Sequence, residues 1–166
     1  MNDLEEFRRQ KDEFFRGPHS PLTREQKRSF RGLKYFPENP ALRLEVNVEP
    51  ISGDQGIDMQ TTGGDVQHYR RFGRFTFTVD GQEAQLTIFT DGQGYFLPFV
   101  DAQAGKETYG AGRYLEPEPL PNGKFLVDFN LAYNPYCAYN ENWSCPLTPA
   151  ENRLKVAIRA GEMTYE

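Results

Sequence analysis

The stretch "FTFTVDGQEAQLTI", residues 75–88, decides the fold class. Phe75, Phe77 and Val79 alternate with threonines up to Asp80-Gly81, and Ala84, Leu86 and Ile88 then alternate with Gln85 and Thr87. A period of two sends successive side chains to opposite faces of a strand, and Asp-Gly is the residue pair that best supports a two-residue hairpin turn. The stretch therefore predicts an antiparallel hairpin with one apolar face and one wet face.

Working outward, the same period recurs. Leu42, Leu44, Val46 and Val48 alternate with Arg43, Glu45, Asn47 and Glu49, and Ile57, Met59 and Thr61 follow before Gly63-Gly64. Tyr95 to Val100 is a continuous apolar run, readable as a buried strand. A turn at Pro121-Asn122-Gly123 precedes Phe125, Val127 and Phe129, and Leu154, Val156 and Ile158 form a last candidate strand closed by Gly161. The basic run "HYRR", His68–Arg71, reads as a solvated strand or turn. Strands joined by tight turns, with no helical pattern between them, imply an antiparallel sheet. The expected fold is mainly β, an antiparallel sandwich or partly open barrel of about eight strands.

Two helices are expected ahead of this core. Asn2 or Asp3 caps the first, with Leu4, Phe7, Phe14 and Phe15 on one face as an inward aromatic stripe and Gly17-Pro18 as its stop. Thr23 and Gln26 form a capping box for the second, which Gly32 would end. The expected organisation is one domain over residues 1–166, with a helical segment 1–33 packed on a β core 41–160.

Composition narrows the function classes. The chain has 166 residues, enough for a hydrophobic core without a disulfide framework or a metal. Its net charge of −5 argues against a general binder of nucleic-acid backbones, which needs clustered Lys and Arg. The N-terminal residues lack the apolar core of a signal peptide, and no apolar run is long enough to span a bilayer. A cytoplasmic protein with two reduced cysteines and no membrane partner is expected.

Two segments escape periodicity, 101–118 and 132–152, and loops that long in a compact chain are more often functional than decorative. The first holds Glu107, Tyr109, Arg113 and Tyr114 among three glycines. Arg113 either orients a carboxylate or phosphate of a ligand, or pins the loop by pairing with Glu107 or Asp101. No phosphate-binding glycine loop is present. The second holds Cys137, Cys145 and the only tryptophan, Trp143. Eight positions between the cysteines fit no redox or zinc spacing, and the histidines, His19 and His68, lie far off in sequence. Both cysteines read as small buried hydrophobes, with Cys137 as a nucleophile and a Cys137–Cys145 disulfide as alternatives. The Asn and Tyr residues around them, Asn130, Tyr133, Asn134, Tyr139 and Asn152, suit either a pocket or the fastening of a loop. Asp101, Glu107, Asp128 and Glu151 are the acid/base candidates, but spacing in sequence sets neither their separation nor their pKa values. Ser144 lacks the nucleophile-elbow motif.

Several stretches resemble a known family. They are "SPLT" at Ser20, "FRGLKYFP" at Phe30, "PFVDAQAGKETYGAGRYL" at Pro98, "VDFNLAYNPYCAYNENWSCPL" at Val127 and "PAENRLKVAIRAGE" at Pro149. Together they resemble the bacterial and archaeal domain of unknown function 1684, over nearly the whole chain. The resemblance implies no activity or cofactor. It marks Asp101, Glu107, Tyr109, Gly110, Gly112, Arg113 and Tyr114 as motif positions in the first segment. In the second and just ahead of it, it marks Asp128, Asn130, Tyr133, Asn134, Pro135, Cys137, Tyr139, Cys145, Glu151 and Asn152. The chain departs from the family pattern at Tyr136, where a second proline is expected, and at Gln103 and Ala104, where hydroxyl residues are expected.

The expectation from these readings is a small-ligand binding protein whose pocket is walled by loops 101–115 and 132–152. Arg113 would hold a small anionic molecule beside Asp101 and Glu107, Tyr109, Tyr114 and Tyr139 would line the walls, and Asn130 and Asn134 would donate hydrogen bonds. The alternatives are a hydrolase-type enzyme using Cys137 or an acidic residue, and a structural or protein-interaction module. No metal is expected.

Overall fold

The computed structural model describes residues 2–52 and 56–165. The hairpin forms as expected, with β4 (Val66–Val79) and β5 (Gln82–Thr90) pairing antiparallel and Val79 opposite Gln82. Asp80 and Gly81 both adopt positive φ, 51° and 80°, the conformation a type I′ turn requires. The earlier elements are β1 (Arg43–Val46), β2 (Glu49–Pro50) and β3 (Gly56–Gln60), and the later ones β6 (Tyr95–Phe99), β7 (Arg113–Leu115), β8 (Glu118–Pro119) and β9 (Phe125–Asp128). Two antiparallel sheets result among the described residues. One runs β1-β9-β8 and the other β2-β4-β5-β6-β7, with β3 also on β4. Neither sheet closes into a barrel.

The sheets share one core. Val46, Phe125 and Val127 of the small sheet join Phe75, Phe77, Leu86, Ile88, Leu97 and Phe99 of the large one, and Phe129 touches both Phe77 and Phe99. Each such side chain contributes about 1.5–3 kcal/mol when fully buried. Beyond Leu86 the wet face predicted for β5 disappears, since Thr87 and Phe89 are buried too. The segment after Thr148 covers that face. There the Asn152 amide accepts from Thr87 N (2.9 Å) and donates to the carbonyls of Thr87 and Pro98 (2.8 Å each). "HYRR" lies within β4, a longer strand than the apolar alternation alone outlines.

The predicted final strand does not form. Val156 and Ile158 are buried as their period requires, but residues 154–160 form no strand, and their backbone pairing stops after Leu154 N donates to the Val100 carbonyl (2.7 Å) and Ala102 N to the Val156 carbonyl (2.9 Å). Beyond Val156, side chains take the place of a ladder partner. Asp101 accepts from Ile158 N at 2.8 Å, and Arg113 donates to the carbonyls of Ile158 (2.8 Å), Ala160 (2.5 Å) and Glu162 (3.0 Å). The chain bends at Ala160 and Gly161, where Gly161 takes a φ of +79°, and the bend gathers the three carbonyls within reach of one guanidinium and its five donors.

Both N-terminal helices are present. α1 (Asp3–Arg16) starts at Asn2, whose side chain accepts from Glu5 N, and α2 (Arg24–Ser29) starts with the complete Thr23/Gln26 capping box. α2 ends at Phe30, ahead of Gly32. The aromatic stripe of α1 departs from expectation. Phe15 is buried in a second cluster with Leu22, Phe30 and Tyr139, but Phe7 and Phe14 stay 42% and 44% exposed. The reason is that their side of α1 meets the edge of an open groove.

Candidate functional site

The residues singled out in the sequence are brought together mainly to fasten the chain. Arg113 is 1% exposed, and besides its three carbonyls it has Asp101 at 3.9 Å. Burial pulls its pKa down to about 10, against the opposing pull of Asp101 and Glu162. Every one of these contacts is internal, so the ligand-orienting role expected of Arg113 is corrected to a structural one. Asp101 is likewise consumed, accepting from Thr108 Oγ1 at 2.6 Å as well as from Ile158 N. Glu107 pairs at the surface with Arg159 at 2.9 Å.

The amides and tyrosines follow the same logic. Asn130 brackets Asn39, accepting from its N–H at 2.8 Å and donating to its carbonyl at 2.9 Å. Asn134 donates its backbone N–H to Glu162 Oε1 (3.1 Å) and its side-chain amide to the Met163 carbonyl (3.0 Å). Tyr139 is buried and donates to Glu162 Oε1 at 2.8 Å, and burial first, then the Glu162 charge, pushes its pKa up. Tyr109 stands with its hydroxyl 3.8 Å from Cys137 Sγ. Of the eight expected ligand contacts, only Tyr114 lines the groove, and its hydroxyl is bonded to the Pro146 carbonyl.

The groove has a volume of about 690 Å³, within the range of small-molecule sites. One wall is α1, where Phe7, Lys11 and Phe14 fall at positions i, i+4 and i+7 on one face, with Gln10 beside them. The opposite wall comes from the second loop and carries Tyr133, Tyr136, Trp143, Ser144 and Cys145. The expected pairing of loops 101–115 and 132–152 is thereby corrected: the helix takes the place of the first loop, apart from Tyr114. Among the described residues, six large apolar side chains remain exposed. Four of them, Phe7, Phe14, Tyr136 (37%) and Trp143 (39%), line this groove. Tyr136 and Trp143 meet edge to face at 5.1 Å, which holds both rings in place.

Lys11 is the one charged residue among those lining the groove. Its ammonium lies 4.9 Å from the centre of the Tyr133 ring and contacts Glu162 Oε2. Glu162 is 1% exposed and binds α1, Asn134 and Tyr139 together, although nothing in its sequence context sets it apart from a surface glutamate. The helix residues of the groove had a readable signal in the heptad spacing of Phe7 and Phe14. That signal suits a core stripe equally well.

Support for hydrolytic chemistry is thin. Asp101, Glu107, Asp128 and Glu151 each engage separate partners, Glu151 bonding Arg71 and Thr87. Ser144 donates to Asp65 at 2.7 Å, and hydrogen bonds from Thr61 and Ser144 hold that carboxylate below its usual range, which makes it a poor base. His68 pairs with Asp58. Among the described residues no group of three or more His, Cys, Asp or Glu is placed to hold a metal ion. No helix among them is long and apolar enough to cross a membrane.

Both cysteines are free. Burial pushes the Cys145 thiol up to about 11. At neutral pH its thiolate is scarcer than that of an ordinary thiol by about a hundredfold. Iodoacetamide is therefore expected to alkylate Cys145 at least about a hundredfold more slowly in native protein than in urea. Mass spectrometry of the two digests checks this, and equal rates would refute the buried-thiol assignment.

Comparison with known proteins places this geometry. No curated protein matches the chain. The solution NMR structure of an uncharacterized protein from Haloarcula marismortui is similar, with 37% sequence identity and a TM-score of 0.73 over 97% of this chain and 92% of that one. Residues 28–163 match the family described as "Protein of unknown function (DUF1684)". By that match the chain belongs to the DUF1684 family.

Proposed function

We propose that the protein binds a small, largely apolar molecule in the groove between α1 and the loop 132–147. The observation that carries this reading is the convergence of four exposed aromatic side chains on one concave site. An exposed apolar cluster costs solubility, and scattered residues need no explanation where a clustered set does. The rings sit on a capped helix and a hydrogen-bonded loop, so they are positioned before a ligand arrives.

Diphenylhexatriene, an uncharged probe that fluoresces in apolar surroundings, tests the proposal directly. Native protein is expected to bind it saturably at one site per chain. The variant Phe7→Ser/Phe14→Ser should weaken binding at least about tenfold, each lost ring contact being worth about 0.5–1.5 kcal/mol beyond its area. Both positions are already exposed, so the fold should survive the change. Non-saturable binding, or equal binding by the variant, would remove the groove as a ligand site.

A further inference from the structure

We infer that the groove's ligand is an amphipathic anion, an apolar chain or ring bearing a carboxylate, with its head group held by Lys11. The inference rests on the proposed groove function and adds the chemical class of the ligand. Lys11 stands midway along the helix wall, one turn from both Phe7 and Phe14, so a head group there leaves apolar surface on either side. Among the described residues, no acidic one lines the groove.

The ammonium is also placed to serve two acceptors. Its side chain keeps about a fifth of its surface open, while the Glu162 carboxylate behind it is shut off from solvent. Glu162 does not depend on Lys11 alone, because Oε1 accepts from Tyr139 and from Asn134 N–H. An ammonium has three donors, so one can remain on Glu162 while another reaches a ligand carboxylate. The Tyr133 face next to the ammonium keeps it directed along the groove wall. Among the groove's hydroxyls, Ser144 is already committed to Asp65 and Thr61 (2.7 and 2.9 Å), Tyr114 to the Pro146 carbonyl and Tyr133 to Glu116, which leaves that of Tyr136. A neutral polar head therefore finds weaker recognition here than an anionic one. A cationic head would lie against Lys11 itself.

Three ligands with one tail separate the possibilities: decanoate, decanol and decylamine, titrated below their aggregation limits against the fluorescence of Trp143. This residue is the chain's only tryptophan and stands in the groove wall. Native protein should prefer decanoate to decanol by about tenfold or more, the worth of one charge-assisted hydrogen bond. It should bind decylamine worst. Lys11→Met should abolish the preference while leaving decanol affinity within about twofold. If that variant fails to fold because Glu162 is left unpaired, Lys11→Met/Glu162→Gln removes both charges and makes the same comparison. Equal binding of decanoate and decanol by native protein, or a preference that survives loss of Lys11, overturns the head-group assignment and leaves the groove proposal standing. Failure of all three ligands and of diphenylhexatriene overturns both.

Discussion

Replacing Arg113 by methionine should cost about 3–5 kcal/mol of folding stability, a large share of the roughly 5–15 kcal/mol that a chain of this kind has. The loss has two parts. The buried carboxylate of Asp101 loses its cation at 3.9 Å, and the carbonyls of Ile158, Ala160 and Glu162 lose their donor in a place water does not reach. Urea denaturation followed by tyrosine and tryptophan fluorescence should show the midpoint falling by about 2 M, taking a slope of about 2 kcal/mol per M. Arg113→Lys should recover only a small part, since a compact ammonium on a shorter reach does not replace the two guanidinium nitrogens that serve the three carbonyls. A methionine variant within about 1 kcal/mol of native would show that the 154–162 segment is held by its apolar side chains and its remaining hydrogen bonds without Arg113.

Gly161→Ala is expected to be nearly as severe. Gly161 has a φ of +79°, and a Cβ there would stand 2.7 Å from the Phe129 carbonyl oxygen and 2.8 Å from both Cβ and O of Ala132. Left-handed backbone costs a non-glycine residue about 1–2 kcal/mol. Overpacking against backbone adds about 1–3 kcal/mol. The neighbourhood has little room to yield, because the Gly161 carbonyl accepts from Phe36 N at 2.9 Å and Glu162 N donates to Ala132 O at 3.0 Å. The melting temperature should drop by about 5–15 °C. A drop of under about 2 °C would mean that loop 129–132 moves aside freely. The variant has a second use, because Glu162 follows Gly161 and anchors Lys11. Any displacement there should loosen α1, and weaker diphenylhexatriene binding by the folded variant would register it.

Much of the architecture was legible from local chemistry. Period-two patterns located the hairpin and most of the larger strands, and capping residues placed the starts of both helices, because these signals depend on neighbours a few residues away. Misreadings came where distant chain supplied the partner. Leu154, Val156 and Ile158 carry a strand pattern, but only Leu154 and Val156 find backbone partners, at Val100 and Ala102, and the hydrogen bonds of Ile158 go to the side chains of Asp101 and Arg113. β7 was hidden in a glycine-rich stretch because all three of its residues are buried, leaving no alternation to see. Phe7 and Phe14 have the spacing of a core stripe, and whether a groove or a core lies opposite is not encoded in that spacing.

By itself, then, the sequence determined an antiparallel β protein with two capped helices in front, since periodicity and turn chemistry act within short windows. It also marked residues 101–118 and 132–152 as outside the period-two pattern. Only the tertiary structure decided what those loops do. It closed the Asn, Tyr and Arg113 groups onto internal carbonyls and carboxylates, and it set α1 against residues 132–147 so that Phe7, Lys11, Phe14, Tyr136 and Trp143 face one space. The physical reason is that a hydrogen-bonding side chain looks the same in sequence whether its partner is a ligand or a carbonyl far along the chain. Burial and distance make that distinction, and both arise only when the chain is folded.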